Sequence, residues 1–397
     1  MKKVLVPKVR FKGFSEEWKE EKLENIYSFA SEGGTPDTNK DIYYKPGLFY
    51  FTKIEDMANK YIYNTKSKIS ELGLKNSSAW IIPKNNILFS NGATIGNVSI
   101  NKVDLSTKQG IVGMIIKKKF NLEFIYYLLK SENFQSKLAE KITVGTIPTV
   151  AIFNLKKIKL LLTTNSIEQQ KIGKLLDQIS NLITIEQSKL NKLKQLKQTL
   201  LQKMFPEGNS KVPRIRFKGF EGEWEEEKLD DIFKVITGGE PPKNYKNSKH
   251  PVGMYKYPIY SNGQEANAIW GFSDNYSINT EAITISSIGT IGFPVVRKMF
   301  FTPIIRLKTL LPYNKNMNIN FLNLSVSQIN FSFNQAGIPS MNSNQLKDNI
   351  ILISRNFSEQ QKIGDFFSKI DTLINLYNSK LNKLKQIKKA LINKMLL

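Results

Sequence analysis

Apolar side chains at Ile172, Leu176, Ile179, Ile183, Leu190, Leu193, Leu200 and Met204 are separated by threes, fours and sevens, the spacing of a stripe along one helix face. The same pattern returns at Ile363, Phe367, Ile370, Ile374, Leu381, Leu384, Leu391 and Met395. Each run predicts a helix of about 39 residues, ~58 Å long at 1.5 Å per residue, within residues 166–206 and 357–397. A helix of that length cannot bury its stripe against itself, so the expected partner of each is the other, packed antiparallel. Glu186 and Lys197 interrupt the first stripe, which makes the expected coiled coil short and imperfect.

Ahead of each helix the pattern changes to short apolar runs. Ile87–Ser90, Val98–Ile100 and Ile111–Ile116 read as strands and Leu122–Ile142 as an amphipathic helix; further on, Ala282–Ile288 and Pro294–Arg297 read as strands and Ile319–Ile329 as a helix. Both stretches close on a Gly-Pro turn, GTIPT at Gly145 and GIPS at Gly337, and the polar PEGNSKVP from Pro206 to Pro213 reads as a linker. The expected architecture is two α/β (α+β) domains in tandem, residues 1–165 and 207–356. Two long antiparallel coiled-coil helices separate them in a pseudo-two-fold, circular arrangement.

The symmetry is written into the sequence. VPKVRFKGFSEEWKEEKLENI at Val6 recurs as VPRIRFKGFEGEWEEEKLDDI at Val212, with 14 of 21 positions identical. EQQKIG recurs at Glu168 and Glu359, and SKLNKLKQ at Ser188 and Ser379. The first block is displaced by 206 residues and the later ones by 191, so the repeated parts keep their length while the stretch between them does not. This is an internal duplication.

Composition then narrows the partners. A formal charge of +24 suits a phosphate-binding surface, because neutralising phosphates releases counterions. The 397 residues contain no cysteine, which removes disulfides and thiolate metal sites. The opening MKKVLVPKVRF has no apolar signal region, and no apolar run approaches the ~18 residues of a membrane span; the chain reads as cytoplasmic, with no membrane partner. Two similar basic domains on paired helices suit two half-sites on one duplex, since a helical turn of B-DNA is ~34–36 Å.

At this point the repeated blocks carry a resemblance. Pro7–Leu23 and its copy Pro213–Leu229, the EQQKIG helix starts at Glu168 and Glu359, the lysine-leucine tails and the Gly-Pro turns together resemble the specificity (S) subunit of type I restriction-modification enzymes over the whole chain. The resemblance implies that each variable domain is a target-recognition domain reading half of a bipartite, asymmetric DNA site, and that the helices set the gap and dock modification subunits. It implies partners: double-stranded DNA, two modification (methyltransferase) subunits and restriction (ATPase/nuclease) subunits. It further implies that this chain is not itself an enzyme and binds no cofactor, with S-adenosylmethionine, ATP and Mg expected in the partner subunits. Trp18, Trp224, Gln169, Gln170, Gln360 and Gln361, all in repeated blocks, are the expected docking residues.

The residues themselves offer no catalytic set. Glu240-Pro241-Pro242-Lys243 lacks the Asp/Asn and the aromatic residue of an adenine methyltransferase segment. SNGATIG (Ser90–Gly96) and SSIGTIG (Ser286–Gly292) lack the Gly-Lys-Ser/Thr of a phosphate loop, and the single histidine, His250, sits in a lysine-rich loop. Base readout needs polar side chains on turns at strand ends. The candidates are Lys53, Ser90, Asn91, Thr94, Lys108 and Gln109 in the first domain, and Tyr260, Ser261, Asn262, Gln264, Ser286, Ser287 and Thr290 in the second. Two other readings stay open on sequence alone: a recognition fragment of a fused methyltransferase-nuclease, and a coiled-coil interaction protein that binds no DNA.

Overall fold

The computed structural model describes residues 6–396 apart from Ala93, Val144, Thr146, Ile147, 264–267 and Ala336. The chain divides into two compact units, Met1–Gln187 with Ser379–Leu397, and Ser188–Asn378. Each unit thus contains one globular stretch and parts of both long helices, Ser166–Met204 and Phe357–Met395. Both helices begin behind an asparagine cap: Asn165 Oδ1 accepts from the backbone N–H groups of Ile167 and Glu168, and Asn356 Oδ1 from those of Ser358 and Glu359.

In the first unit a five-stranded sheet has the order Tyr27–Glu32, Ile111–Ile116, Ile87–Ser90, Val98–Asn101, Tyr61–Ile62, and a three-stranded sheet the order Ser67–Ile69, Phe49–Thr52, Leu105–Thr107. The predicted strands are present, and the second sheet is an addition. Its strands are three or four residues long, too short to carry a period. The predicted helix over Leu122–Ile142 is two helices, Leu122–Leu129 and Glu132–Ala139. Ser131 makes the break by accepting the N–H of Phe134 on its side chain. The apolar face continues across the break through Phe124, Leu128, Phe134 and Leu138, all in one core with Trp18, Ile172 and Leu176.

That core also contains Met395 and Leu396, from the end of the second long helix. The backbone N–H of Val9 donates to the Lys394 carbonyl at 3.0 Å, so the first repeated block is tied to this helix end. With Glu186 paired to Lys380 at 3.0 Å, the two helical segments of this unit run antiparallel.

The second unit repeats the plan. Its sheets have the orders Phe233–Thr237, Lys308–Pro312, Ala282–Ser286, Gly292–Arg297, and Tyr245–Lys246, Ile269–Ser273, Tyr257–Tyr260, Thr302–Pro303. The predicted helix over Ile319–Ile329 stops at Val326. Its core joins Trp224, Phe321, Ile363 and Phe367 to Met204 and Phe205 from the end of the first long helix, and Ile215 N–H donates to the Lys203 carbonyl at 2.8 Å. Here Lys197 pairs with Asp371 at 2.5 Å. The two residues that interrupt the predicted stripe, Glu186 and Lys197, are therefore matched by opposite charges on the facing helical segment.

The repeated blocks form an internal latch in each unit. Lys19–Lys22 pairs antiparallel with Lys159–Leu162, and Glu225–Lys228 with Ile350–Ile353. Arg10 grips the fully buried Glu168 with two bonds, Nε to Oε1 at 2.6 Å and NH2 to Oε2 at 2.9 Å; Arg216 grips Glu359 at 2.6 and 2.8 Å. The first glutamine of each EQQKIG motif bridges two chain segments. Gln169 accepts from Asn121 N–H and donates to the Thr163 carbonyl, and Gln360 does the same with Asn318 and Ser354. The motif glycine makes room: a Cβ on Gly173 or Gly364 would lie 2.6 or 2.1 Å from the capping Oδ1 of Asn121 or Asn318.

One cluster exists only in the first unit among the described residues. Lys60 Nζ sits 4.6–4.9 Å from the ring centres of Tyr61, Tyr126 and Tyr127 and pairs with Asp177, which also accepts from the Tyr61 and Tyr127 hydroxyls at 3.0 and 3.2 Å. Burial pushes all three phenols up, Tyr126 to about 12, with the Asp177 charge adding to the effect. Burial lowers Lys60, Lys130 and Lys388. For the lysines the unfolded chain holds more protons below ~10.4, so stability rises with pH as their lowered values are passed. For the phenols the unfolded chain loses protons first, above ~10, and stability is lost from there. The urea midpoint of the first unit should therefore rise toward pH ~10 and fall beyond it, the fall becoming shallower in Tyr61→Phe and Tyr127→Phe.

Candidate nucleic-acid interface

In the first unit three turns meet at the strand ends. Ser90 closes the turn after Ile87–Ser90: its Oγ accepts from Asn97 N–H at 2.9 Å and donates to the Thr94 carbonyl. Asn91 donates its backbone N–H to the Gly110 carbonyl at 3.0 Å, accepts from Val150 N–H at 2.8 Å, and donates Nδ2 to the Val150 carbonyl at 3.2 Å. Lys108 N–H donates to the Thr52 carbonyl at 2.9 Å, which places Lys108 beside Lys53. The six predicted residues thus come together, and they divide into two kinds. Ser90 and Asn91 are buried and hold the turns, whereas Thr94, Lys108 and Gln109 are exposed and Lys53 is half-buried.

The second unit has a corresponding cluster. Asn262 Oδ1 accepts from Ser287 N–H at 2.8 Å, its Nδ2 donates to the Ile305 carbonyl, and Ser287 Oγ donates to the Arg306 carbonyl at 2.6 Å. Met341 N–H donates to the Ser287 carbonyl at 3.0 Å, the counterpart of Val150 on Asn91. Ser286 and Ser287 are buried, and Tyr260 lies under the Arg297 guanidinium, 3.9 Å from its ring centre. These side chains hold the loops rather than project from them; Ser261 and Thr290 stay half-exposed. Gln264 lies outside the described residues.

The docking residues need correction. Trp18 and Trp224 are 1% exposed and Gln169 and Gln360 0%. Apolar packing takes the tryptophans and the capping bridges take the glutamines, so these four offer no surface. Gln170 and Gln361 remain exposed, and Gln361 is already hydrogen-bonded to Asn318 and Asp365.

Sequence reading missed Glu32, Gly33, Gly238, Arg306 and Lys308. Glu32 Oε1 accepts from Gly110 N–H at 2.6 Å. Gly33 N–H donates to the Ile111 carbonyl and Gly238 N–H to that of Leu307, both at 2.9 Å. The signal was the string Gly-Gly-x-Pro, present at Gly33–Pro36 and Gly238–Pro241. Lys308 donates to Thr237 and Ser343 hydroxyls, and burial first, then the charge of Arg306, lowers its pKa. Among the described residues no group of His, Asp or Glu could hold a metal ion, and no helix is long and apolar enough to cross a membrane.

Two tandem repeats of one mixed sheet plan, each leading into a long helix, define a class that the family comparison identifies. The model of the type I restriction modification DNA specificity domain matches residues 15–195 and again 221–386, and the chain belongs to that family. The MjaIX specificity subunit of Methanocaldococcus jannaschii is 28% identical over 264 residues, 61% of this chain and 58% of that protein. The EcoR124I/EcoR124II specificity subunit of Escherichia coli is 26% identical over 154 residues, 38% of each. Each alignment thus spans less than two-thirds of its relative's length. The S subunit of a type I restriction-modification system from M. genitalium has the same fold, with a TM-score of 0.68, 16% identity and 99% coverage of both chains.

Proposed function

We propose that this chain is the DNA-recognition subunit of a type I restriction-modification enzyme, each unit reading one half of a bipartite, asymmetric site. The observation that carries the reading is the duplication itself: two family domains in one chain, each with a stitched loop cluster at its strand ends, on a protein of net charge +24. The two clusters differ in sequence, so the two half-sites differ. The long helices set the gap and dock two methyltransferase subunits. Restriction subunits join the same complex, and S-adenosylmethionine, ATP and Mg are handled by these partners in the cytoplasm. This chain contributes target choice and no reacting group.

The test is a map of N6-methyladenine across the host genome with and without the gene. A bipartite motif should disappear on deletion, and exchange of residues 27–165 should rewrite one half of it and leave the other. A methylome indifferent to the gene would refute the reading.

A further inference from the structure

The second unit presents an arginine at a backbone position whose conformation suits glycine. Ile305 and Arg306 have φ of +53° and +61°, in the left-handed region that L side chains rarely adopt. The position has a counterpart in the first unit. Gly33 bonds to the carbonyl of Ile111 and Gly238 to that of Leu307; one residue earlier, the Gly110 carbonyl accepts from Asn91 and the Arg306 carbonyl from Ser287. Gly110, with φ +88°, thus stands where the second unit has Arg306. Glycine takes this conformation without steric cost.

The backbone around Arg306 is held on several sides. Its N–H donates to the Gly238 carbonyl at 2.9 Å, Ile305 N–H donates to Gly239 at 2.8 Å, the Ile305 carbonyl accepts from Asn262, and the Arg306 carbonyl accepts from Ser287. The side chain is exposed and makes no hydrogen bond or ion pair among the described residues. The cationic Lys308 lies close by. A phosphate contact tolerates a flexible stem and needs no fixed origin, whereas an in-plane fork to a base edge does. Strain kept in a tethered loop, around a side chain without internal work, is the signature of a directional contact.

Resting on the reading above, we infer that Arg306 is a specificity-determining residue of the second unit, directed at the O6 and N7 edge of a guanine in the half-site that this unit reads. The structure separates this from a scaffolding role, because every one of these bonds uses backbone atoms of Ile305 or Arg306, and none of them is lost in Arg306→Gly.

The experiment compares wild type, Arg306→Gly and Arg306→Lys, each expressed with its methyltransferase subunits in a host lacking the gene, by methylome mapping and by melting of the purified complex. The half-site unaffected by exchange of residues 27–165 should contain an essential G·C pair. Arg306→Gly should lower discrimination at that pair by roughly 10- to 100-fold while the melting temperature holds or rises. Arg306→Lys should keep the salt dependence and lose most of the discrimination. An unchanged motif would overturn the assignment, as would a half-site without G·C. A uniform loss with every base preference intact would make Arg306 a phosphate contact, and a lower melting temperature in Arg306→Gly would make it structural. If wild type itself restores no bipartite motif, the proposed function falls, and this inference with it.

Discussion

Arg216→Ala will destabilise the second unit by about 3–5 kcal/mol. The reason is the partner left behind. Glu359 is fully buried, and both its carboxylate oxygens are satisfied by the Arg216 fork, whose third nitrogen reaches the Gly222 carbonyl at 2.5 Å. Removing the arginine strands a charge where water cannot reach it, while replacing both members by apolar groups of similar volume removes the desolvation penalty as well. The double variant Arg216→Met with Glu359→Leu should therefore recover most of the loss. In urea the single variant should lower the unfolding midpoint of this unit by more than about 1 M. An unmoved midpoint would show that the pair is dispensable. Arg10 and Glu168 repeat the geometry, so Arg10→Ala should behave alike in the first unit.

Trp224→Ala carries an effect of the same size, about 3–5 kcal/mol, through lost volume rather than lost charge. The indole ring stands at 5.3 Å from both Phe205 and Phe321, edge-on to each, at the point where the end of the first long helix enters the core. Its Nε1 is buried without a hydrogen-bond partner among the described residues. Trp224→Phe therefore removes an unmet donor together with part of the ring, and should lose much less than alanine does. Unfolding curves of both variants, followed by co-purification with the methyltransferase subunits proposed as partners, separate the roles. A core residue gives a folded, assembling phenylalanine variant and an unfolded alanine variant. Loss of assembly in a stable phenylalanine variant would return Trp224 to the partner surface.

The long helices were legible from the apolar stripe alone; the asparagines immediately before them, Asn165 and Asn356, are a second start signal that the sequence reading left unused. The Leu122–Ile142 segment misled because its apolar face continues through Ser131, and a period cannot register a break that preserves phase. The second sheet of each unit left no period at all; strands such as Phe49–Thr52 and Tyr257–Tyr260 are too short and aromatic to alternate. At the candidate interface, the polar turn residues were found but their work was not, since Ser90 holding a loop and Ser90 reading a base need the same residue at the same strand end. The repeated blocks posed the matching problem. A motif retained in both halves reports a shared constraint, and Glu168, Gln169 and Gly173 meet theirs inside the molecule.

The helix ends buried in each core reverse the usual order in which a chain matures on the ribosome. Domains normally fold as they emerge, the amino-terminal one first. Among the described residues the core around Trp224 draws on residues 193–374, whereas the core around Trp18 needs Leu391, Ile392, Met395 and Leu396. The half that is made first must wait, its apolar surface open, until those four side chains are synthesised. Its sibling has by then had everything it needs.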